Sequence, residues 1–310
     1  MKIYEYKPGA SINEKTAVAL GYFDGVHAGH RQLLATAKRV AKERGLLFTV
    51  FTFSAEMSVK DNGIIYSTEE KLALFESLGV EAVILASFSD ICKISAENFV
   101  KDCLYKDMGC RAAVAGFDFG YGAGRSGNAD TLKTDLAALG VECIIEPEHK
   151  IDGEKISSTK IKELLSEGRV DLARKLLGYP YQLICEVERG RGVGRKLGYP
   201  TVNTKIDTRR AQLGRGVYRT AVDISGKLYT GITNIGTCPT FEERKIHAET
   251  YIVDFTGTLY GKKIKILFLG RMRDEKKFEN PEELIMQINV DKNKAIKDNG
   301  ELTWQEIGRN

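Results

Sequence analysis

Two histidines three apart, His27 and His30, close the run Gly21-Tyr22-Phe23-Asp24-Gly25-Val26-His27-Ala28-Gly29-His30. Imidazoles at that spacing project from one side of a helix start, so both reach a single polyanion, and Gly29 leaves it room. The helix start itself attracts anions, because its first backbone N–H groups are unshared and its dipole is positive there. Gly21, Phe23, Asp24, Gly25, His27, Gly29 and His30 are therefore candidates for gripping the phosphates of ATP. A second cluster, Lys155-Ile156-Ser157-Ser158-Thr159-Lys160-Ile161-Lys162, sets hydroxyls at a helix start and lysines after it. Taken alone it reads as an N-cap on an amphipathic helix. Beside His-x-Gly-His it reads as a second phosphate clamp, made by Ser157, Ser158, Thr159 and Lys162.

A third cluster runs from Gly190 to Asn203, a glycine-rich loop that ends in Pro-Thr-x-Asn. Gly190, Gly192, Gly194, Arg195, Lys196 and Pro200 suit a cradle for a polyphosphate. The Thr201 hydroxyl and Asn203 carbonyl are hard oxygen ligands for Mg²⁺ or another hard divalent cation. Without context such a loop reads equally as a flexible hairpin. Glu249 shares a strand face with Tyr251, Val253 and Phe255, and a carboxylate among wall residues is costly unless used or paired. Near the loop it would accept the proton of a hydroxyl attacking a γ-phosphorus. Its alternative is a rim glutamate paired with a lysine.

These residues need elements to hold them. From Thr16 to about Leu177, short β-rich runs (Ala17–Gly21, Leu46–Phe53, Val80–Ala86, Arg111–Ala115, Val141–Ile145) alternate with helical stretches, the pattern of a parallel sheet wrapped by helices. Gly45 and Gly79 sit where helices stop, and Ser67 with Glu70 reads as a capping box. After Pro180 the period becomes two, as in Tyr218, Thr220, Val222 and Ile224 before a Ser225-Gly226 turn, with further runs at Ile232–Ile235, His247–Phe255 and Ile264–Leu269. That texture predicts an antiparallel β-barrel, closed by a helix from about Pro281 to Lys297. The expected domains are 1–179 and 180–310, and 310 residues exceed what one core usually organises.

A net charge of +4 is too small to make nucleic acid the main partner. The longest apolar runs, such as Val80–Ser87, fall far short of a membrane helix, and no signal-peptide pattern follows Met1, so a cytoplasmic protein without membrane attachment is expected. The six cysteines lack any C-x-x-C spacing and read as small buried apolar residues.

His-x-Gly-His paired with Ser-Ser-Thr is similar to the nucleotidyltransferase superfamily, in which a phosphate attacks the α-phosphorus of a nucleotide. A plain dinucleotide-binding reading fits worse, because no G-x-G-x-x-G follows the first strand. With Gly116-x-Asp118-Phe119-x-Tyr121-Gly122, Gly194-Arg195-x-Leu197-Gly198-Tyr199-Pro200-Thr201-x-Asn203, Gly216-Val217-Tyr218, Thr233-Asn234-Ile235-Gly236-x-x-Pro239-Thr240-Phe241, Glu249-x-Tyr251 and Arg271-x-Arg273-Asp274-Glu275-x-x-Phe278, nearly the whole chain resembles the bacterial bifunctional riboflavin kinase/FMN adenylyltransferase (FAD synthetase) family.

The resemblance implies a Rossmann-like nucleotidyltransferase domain followed by a β-barrel kinase domain. The barrel would phosphorylate riboflavin to FMN, and the first domain would join FMN to AMP from a second ATP, giving FAD and pyrophosphate. It implies Mg²⁺ at Thr201 and Asn203, Glu249 as general base, and flavin beside Asn234, Tyr251 and Arg273. In the first domain it implies ATP at His27, His30, Ser158 and Thr159, and flavin beside Asp118, Phe119, Tyr121 and Gly122. The implied partners are riboflavin, FMN and ATP, with flavoenzymes receiving the product.

The family's Pro-His-Pro after the second strand is replaced by Phe53-Ser54-Ala55-Glu56-Met57, and arginines flanking Ser-Ser-Thr become Lys155, Lys160 and Lys162. Lysine lacks the planar fork of arginine, so a slower adenylyltransferase is expected. The alternatives are a kinase with an inactive partner domain, a transferase for another metabolite, or a flavin-binding regulatory protein.

Overall fold

The computed structural model describes residues 1–54, 63–190, 194, 197–237, 246–300, 303 and 307. By compactness it divides into Met1–Ser158 and Thr159–Arg309. In the first unit the main elements are strand β1 (Lys2–Glu5), β2 (Thr16–Leu20), helix α1 (Ala28–Arg44), β3 (Leu47–Phe53), α2 (Thr68–Ser77), β4 (Ala82–Ala86), β5 (Cys110–Gly116), α3 (Ala129–Ala138) and β6 (Glu142–Glu146). The strands form one parallel sheet in the order β1-β4-β3-β2-β5-β6.

Strand β2 is buried along its whole length, and its alternation serves two cores. Ala17 and Ala19 pack with Leu33, Leu34 and Val40 of α1 and Phe75 of α2. Val18 and Leu20 face Phe99, Leu104 and, from α3, Leu132 and Leu136. Since β3 pairs on one side of β2 and β5 on the other, the crevice beyond Leu20 is where an open α/β sheet binds ligands.

Each expected strand is present, and β1 is an addition: its four residues are mostly exposed and carry no clear alternation. Gly45 is the left-handed cap of α1. Ser67 and Glu70 form both halves of the capping box on α2. Cys103, Cys110 and Cys143 are buried, Cys92 and Cys185 are only half-buried, against the expectation for all six, and Cys238 lies outside the described residues.

Two helices, α4 (Ser158–Ser166) and α5 (Val170–Leu177), lead into six strands: β7 (Tyr181–Glu188), β8 (Thr201–Lys205), β9 (Gly216–Ile224), β10 (Lys227–Thr237), β11 (Ile246–Ile252) and β12 (Lys263–Arg273). They close an antiparallel barrel in the order β7-β8-β11-β10-β9-β12, with β12 pairing back onto β7. One face of the strands is fully buried; there the hydroxyls of Thr220, Thr233 and Thr250 hydrogen-bond across three strands at 3.0 and 2.9 Å. The other face carries Val217, Ile232 and Tyr251, which pack against Ala295 of the last helix, α6 (Pro281–Asn299).

Candidate active sites

Beyond β2 the chain curls tightly before α1 begins. Phe23, Gly25 and Val26 have φ of 54°, 82° and 40°, left-handed values that strain side-chain-bearing residues by about 1–3 kcal/mol each. Surrounding contacts hold the curl in place. Phe23 is fully buried, edge-on to His30 at 5.2 Å and Phe75 at 5.6 Å. The Asp24 carboxylate accepts from the Ile65 N–H at 2.8 Å, and its carbonyl accepts from Ser158 Oγ at 2.8 Å. The serine of the second motif is thus stitched to the turn of the first.

His27 is the N-cap of α1, its Nδ1 accepting from the His30 N–H at 3.2 Å. That bond leaves the ring proton of a neutral imidazole on Nε2. The two rings stack with centroids 3.5 Å apart. Burial pushes His27 down to about 4. His30 is held well below its ordinary value by burial first, then by the charges of His27 and Lys71. Without ligand both rings are therefore neutral near pH 7, and they offer N–H donors rather than cations. Nδ1 of His30 is enclosed and has no hydrogen-bond partner among the described residues.

Lys71 was invisible as a site residue in the sequence, where it follows two glutamates on a helix. It is 1% exposed, and its Nζ donates to the carbonyls of Tyr22 at 3.2 Å and Phe53 at 2.8 Å. It fastens the ends of two neighbouring strands beside the histidine turn.

In the barrel, strand register does the positioning. Asn203 lies opposite Glu249, and Thr201 opposite Tyr251; Asn234 flanks Glu249 from the other side. Thr201 Oγ1 donates to Glu249 Oε1 at 2.6 Å. A Cβ at Gly190 would collide with the Asn203 amide, so only glycine lets that backbone pass. Contrary to the cost argued from sequence, Glu249 is exposed: its face of β11 is the outer one, and its carboxylate keeps solvent contact.

Gly194, Thr201, Val217, Ile232, Asn234, Glu249, Tyr251 and Arg273 share one cavity of about 310 Å³ with Leu284, Ile288 and Asp291 of α6, a volume at the lower end for ligand pockets. Asp291 forks Arg273, accepting from Nε at 3.0 Å and Nη2 at 2.8 Å. Gln287 steadies the same carboxylate at 2.9 Å.

Family descriptions match both halves: FAD synthetase over residues 9–160 and riboflavin kinase over residues 177–298. The bifunctional riboflavin kinase/FMN adenylyltransferase of Bacillus subtilis (strain 168) is 36% identical over 293 residues, covering 91% of this chain and 92% of that one. The protein of that name from Escherichia coli (strain K12) is 32% identical, covering 90% and 91%. The chain belongs to the bifunctional riboflavin kinase/FMN adenylyltransferase family. A crystal structure of a macrolide-efflux protein from Streptococcus pneumoniae is also similar, with a TM-score of 0.86 and 30% identity over 97% of this chain and all of that one. In this family member no described helix is long and apolar enough to cross a membrane.

Among the residues implied by resemblance, Asp118 is exposed and Phe119 partly so, whereas Tyr121 is only 5% exposed. Its ring belongs to a core cluster and its hydroxyl meets Thr131 at 3.2 Å. At Gly122, φ is 72° and a Cβ would strike the backbone of Ala96. Ser157 is half-buried just before α4, with Thr159 and Lys162 on its first two turns. Asn234 donates to Glu275 at 3.3 Å, and Pro200 is exposed at the mouth of β8. Gly192, Arg195 and Lys196 lie outside the described residues, as do Ala55, Glu56 and Met57. Sequence reasoning missed Asp291 and Gln287, whose one signal was a polar position repeated on the pocket side of an otherwise apolar helix stripe.

Proposed function

We infer that the chain makes FAD in two steps, phosphorylating riboflavin with ATP to FMN and then adenylylating FMN with a second ATP. The observation that carries the kinase step is the single cavity joining Thr201, Glu249, Asn234 and Arg273. In it the riboflavin 5′-hydroxyl attacks the γ-phosphorus, Glu249 accepts the hydroxyl proton, and the bond from γ-phosphorus to the bridging oxygen breaks to release ADP. The Thr201 hydroxyl donates a hydrogen bond to Glu249, which leaves its oxygen lone pairs for a hard cation; with the Asn203 carbonyl and ATP oxygens they fit Mg²⁺. When bound, that ion spreads the charge of the transferring phosphoryl group. Tyr251, Asn234 and Arg273 hold the flavin, and the loop from Gly190 holds ATP.

In the first domain an FMN phosphate oxygen attacks the α-phosphorus and pyrophosphate leaves. The attacking group is already anionic, so positioning and charge stabilisation suffice. His27, through Nε2–H, and His30, Ser158, Thr159 and Lys162 are assigned to the ATP phosphates, and Asp118 and Phe119 to the flavin side. We assign residues 1–179 to the adenylyltransferase and 180–310 to the kinase, and place the enzyme in the cytoplasm with its ATP supply.

The test is to incubate the protein with riboflavin, ATP and Mg²⁺ and resolve the flavins chromatographically. FAD is the expected product. FMN alone would remove the second step, and unchanged riboflavin would remove both.

A further inference from the structure

The loop between β6 and α4 holds a histidine that neither motif contains. His149 lies next to Gly29 of the histidine turn: a Cβ on that glycine would stand 3.5 Å from the His27 ring and 3.7 Å from Cβ of His149. One bare glycine therefore separates the two histidines. The carbonyl of His149 accepts from the Ile156 N–H at 3.2 Å, across a short hairpin that pairs Lys150 with Lys155. That hairpin delivers the chain directly into Ser157 and Ser158, and Ser158 is bonded back to Asp24 at 2.8 Å. His149 thus sits at the seam between the histidine turn and the hydroxyl clamp, the two segments assigned above to ATP.

The ring is also held for use. Its Nε2 stands 3.6 Å from the Glu146 carboxylate, and the His149 side chain keeps 35% exposure while Glu146 keeps 13%. Glu146 closes β6 and is anchored by the Thr36 hydroxyl of α1 at 2.5 Å. The ring therefore stands beside an anchored carboxylate and keeps part of its surface open to solvent. Its Nε2 is itself enclosed and has no hydrogen-bond partner among the described residues. The neighbouring lysines are otherwise engaged: Lys150 and Lys155 both pair with Glu148, and Lys155 also covers the Phe117 ring at 4.7 Å.

We propose that His149 is a third histidine of the adenylyltransferase site and binds the ATP that reacts with FMN. The proposal rests on the two-step reading above. Its role is binding rather than proton transfer, so it acts on the affinity for ATP and leaves the flavin side untouched.

The experiment uses the full chain and its His149→Ala variant, with initial rates of FAD formation from FMN measured while ATP and FMN are varied in turn. Riboflavin phosphorylation is measured in the same preparations. The expected result is a rise in KM for ATP of about 10-fold, the loss of one hydrogen bond, with KM for FMN and the kinase rate within about twofold of the parent. An unchanged KM for ATP, or a loss shared equally by both substrates, overturns the assignment. Failure of the parent protein to adenylylate FMN at all sinks the underlying reading instead, so the two failures are told apart.

Discussion

The Glu249 carboxylate accepts a hydrogen bond from the Thr201 hydroxyl at 2.6 Å, and a change that keeps its shape and removes its charge tests its proposed role as a base. Glu249→Gln is expected to lower FMN formation by at least about 100-fold while FMN-to-FAD conversion continues. Normal kinase turnover in that variant would take Glu249 out of the mechanism. His27 makes a different case, because burial pushes its pKa down to about 4. Between the ordinary histidine value and that one the unfolded chain binds more protons than the folded chain. Stability is therefore full above about pH 6.5 and is lost as pH falls toward 4, by on the order of 3 kcal/mol. Hydrogen exchange of the six-stranded sheet at pH 7 and pH 4.5 reads this, and His27→Gln should lose markedly less on acidification.

Among the elements, α6 carries the most testable load, since it walls the cavity proposed for the kinase step from one side. Its start is well specified: Asn280 accepts from the Glu283 N–H at 2.9 Å and Pro281 follows as its first residue. Asn280→Ala should destabilise the helix start by about 1 kcal/mol, seen as faster hydrogen exchange there. Farther along, Asp291 is 4% exposed and pairs with Arg273 at 2.8 Å. Asp291→Ala strands the arginine without its partner, at about 3–5 kcal/mol. We expect a raised KM for riboflavin and a lowered melting temperature of the barrel, with adenylylation unaffected; kinase constants equal to the parent would separate α6 from the flavin. The barrel strands that face it need no such help, because their register alone sets Asn203 against Glu249.

For the whole molecule, the two motif sets fall in separate compact units, Met1–Ser158 and Thr159–Arg309, apart from the last residues of the Ser-Ser-Thr clamp. Two sites imply two separable activities. His27→Ala should impair FAD formation alone, by about 10- to 100-fold as a lost phosphate donor, with the riboflavin-to-FMN rate unchanged. Equal loss of both activities would contradict independent sites. A chromatographic time course following both flavins measures the two rates at once.

Much of this was legible in the residues themselves. Short β-rich runs alternating with helical spacing identified every strand of the sheet except β1, whose four mostly exposed residues carry no pattern to read. Ser67, Glu70 and Gly45 marked helix ends because capping is local chemistry. The candidates His27, Ser158, Thr201 and Glu249 were also named by type and spacing. What the chain alone left undecided was environment: that the stacked imidazoles are neutral, that Glu249 stays solvated, and that Tyr121 is core. Contacts between residues far apart in sequence settled the rest, as with Lys71 under Tyr22 and Phe53, Asp291 on Arg273, and His149 beside Gly29. Burial and partner distance are properties of the folded packing, so no local pattern encodes them.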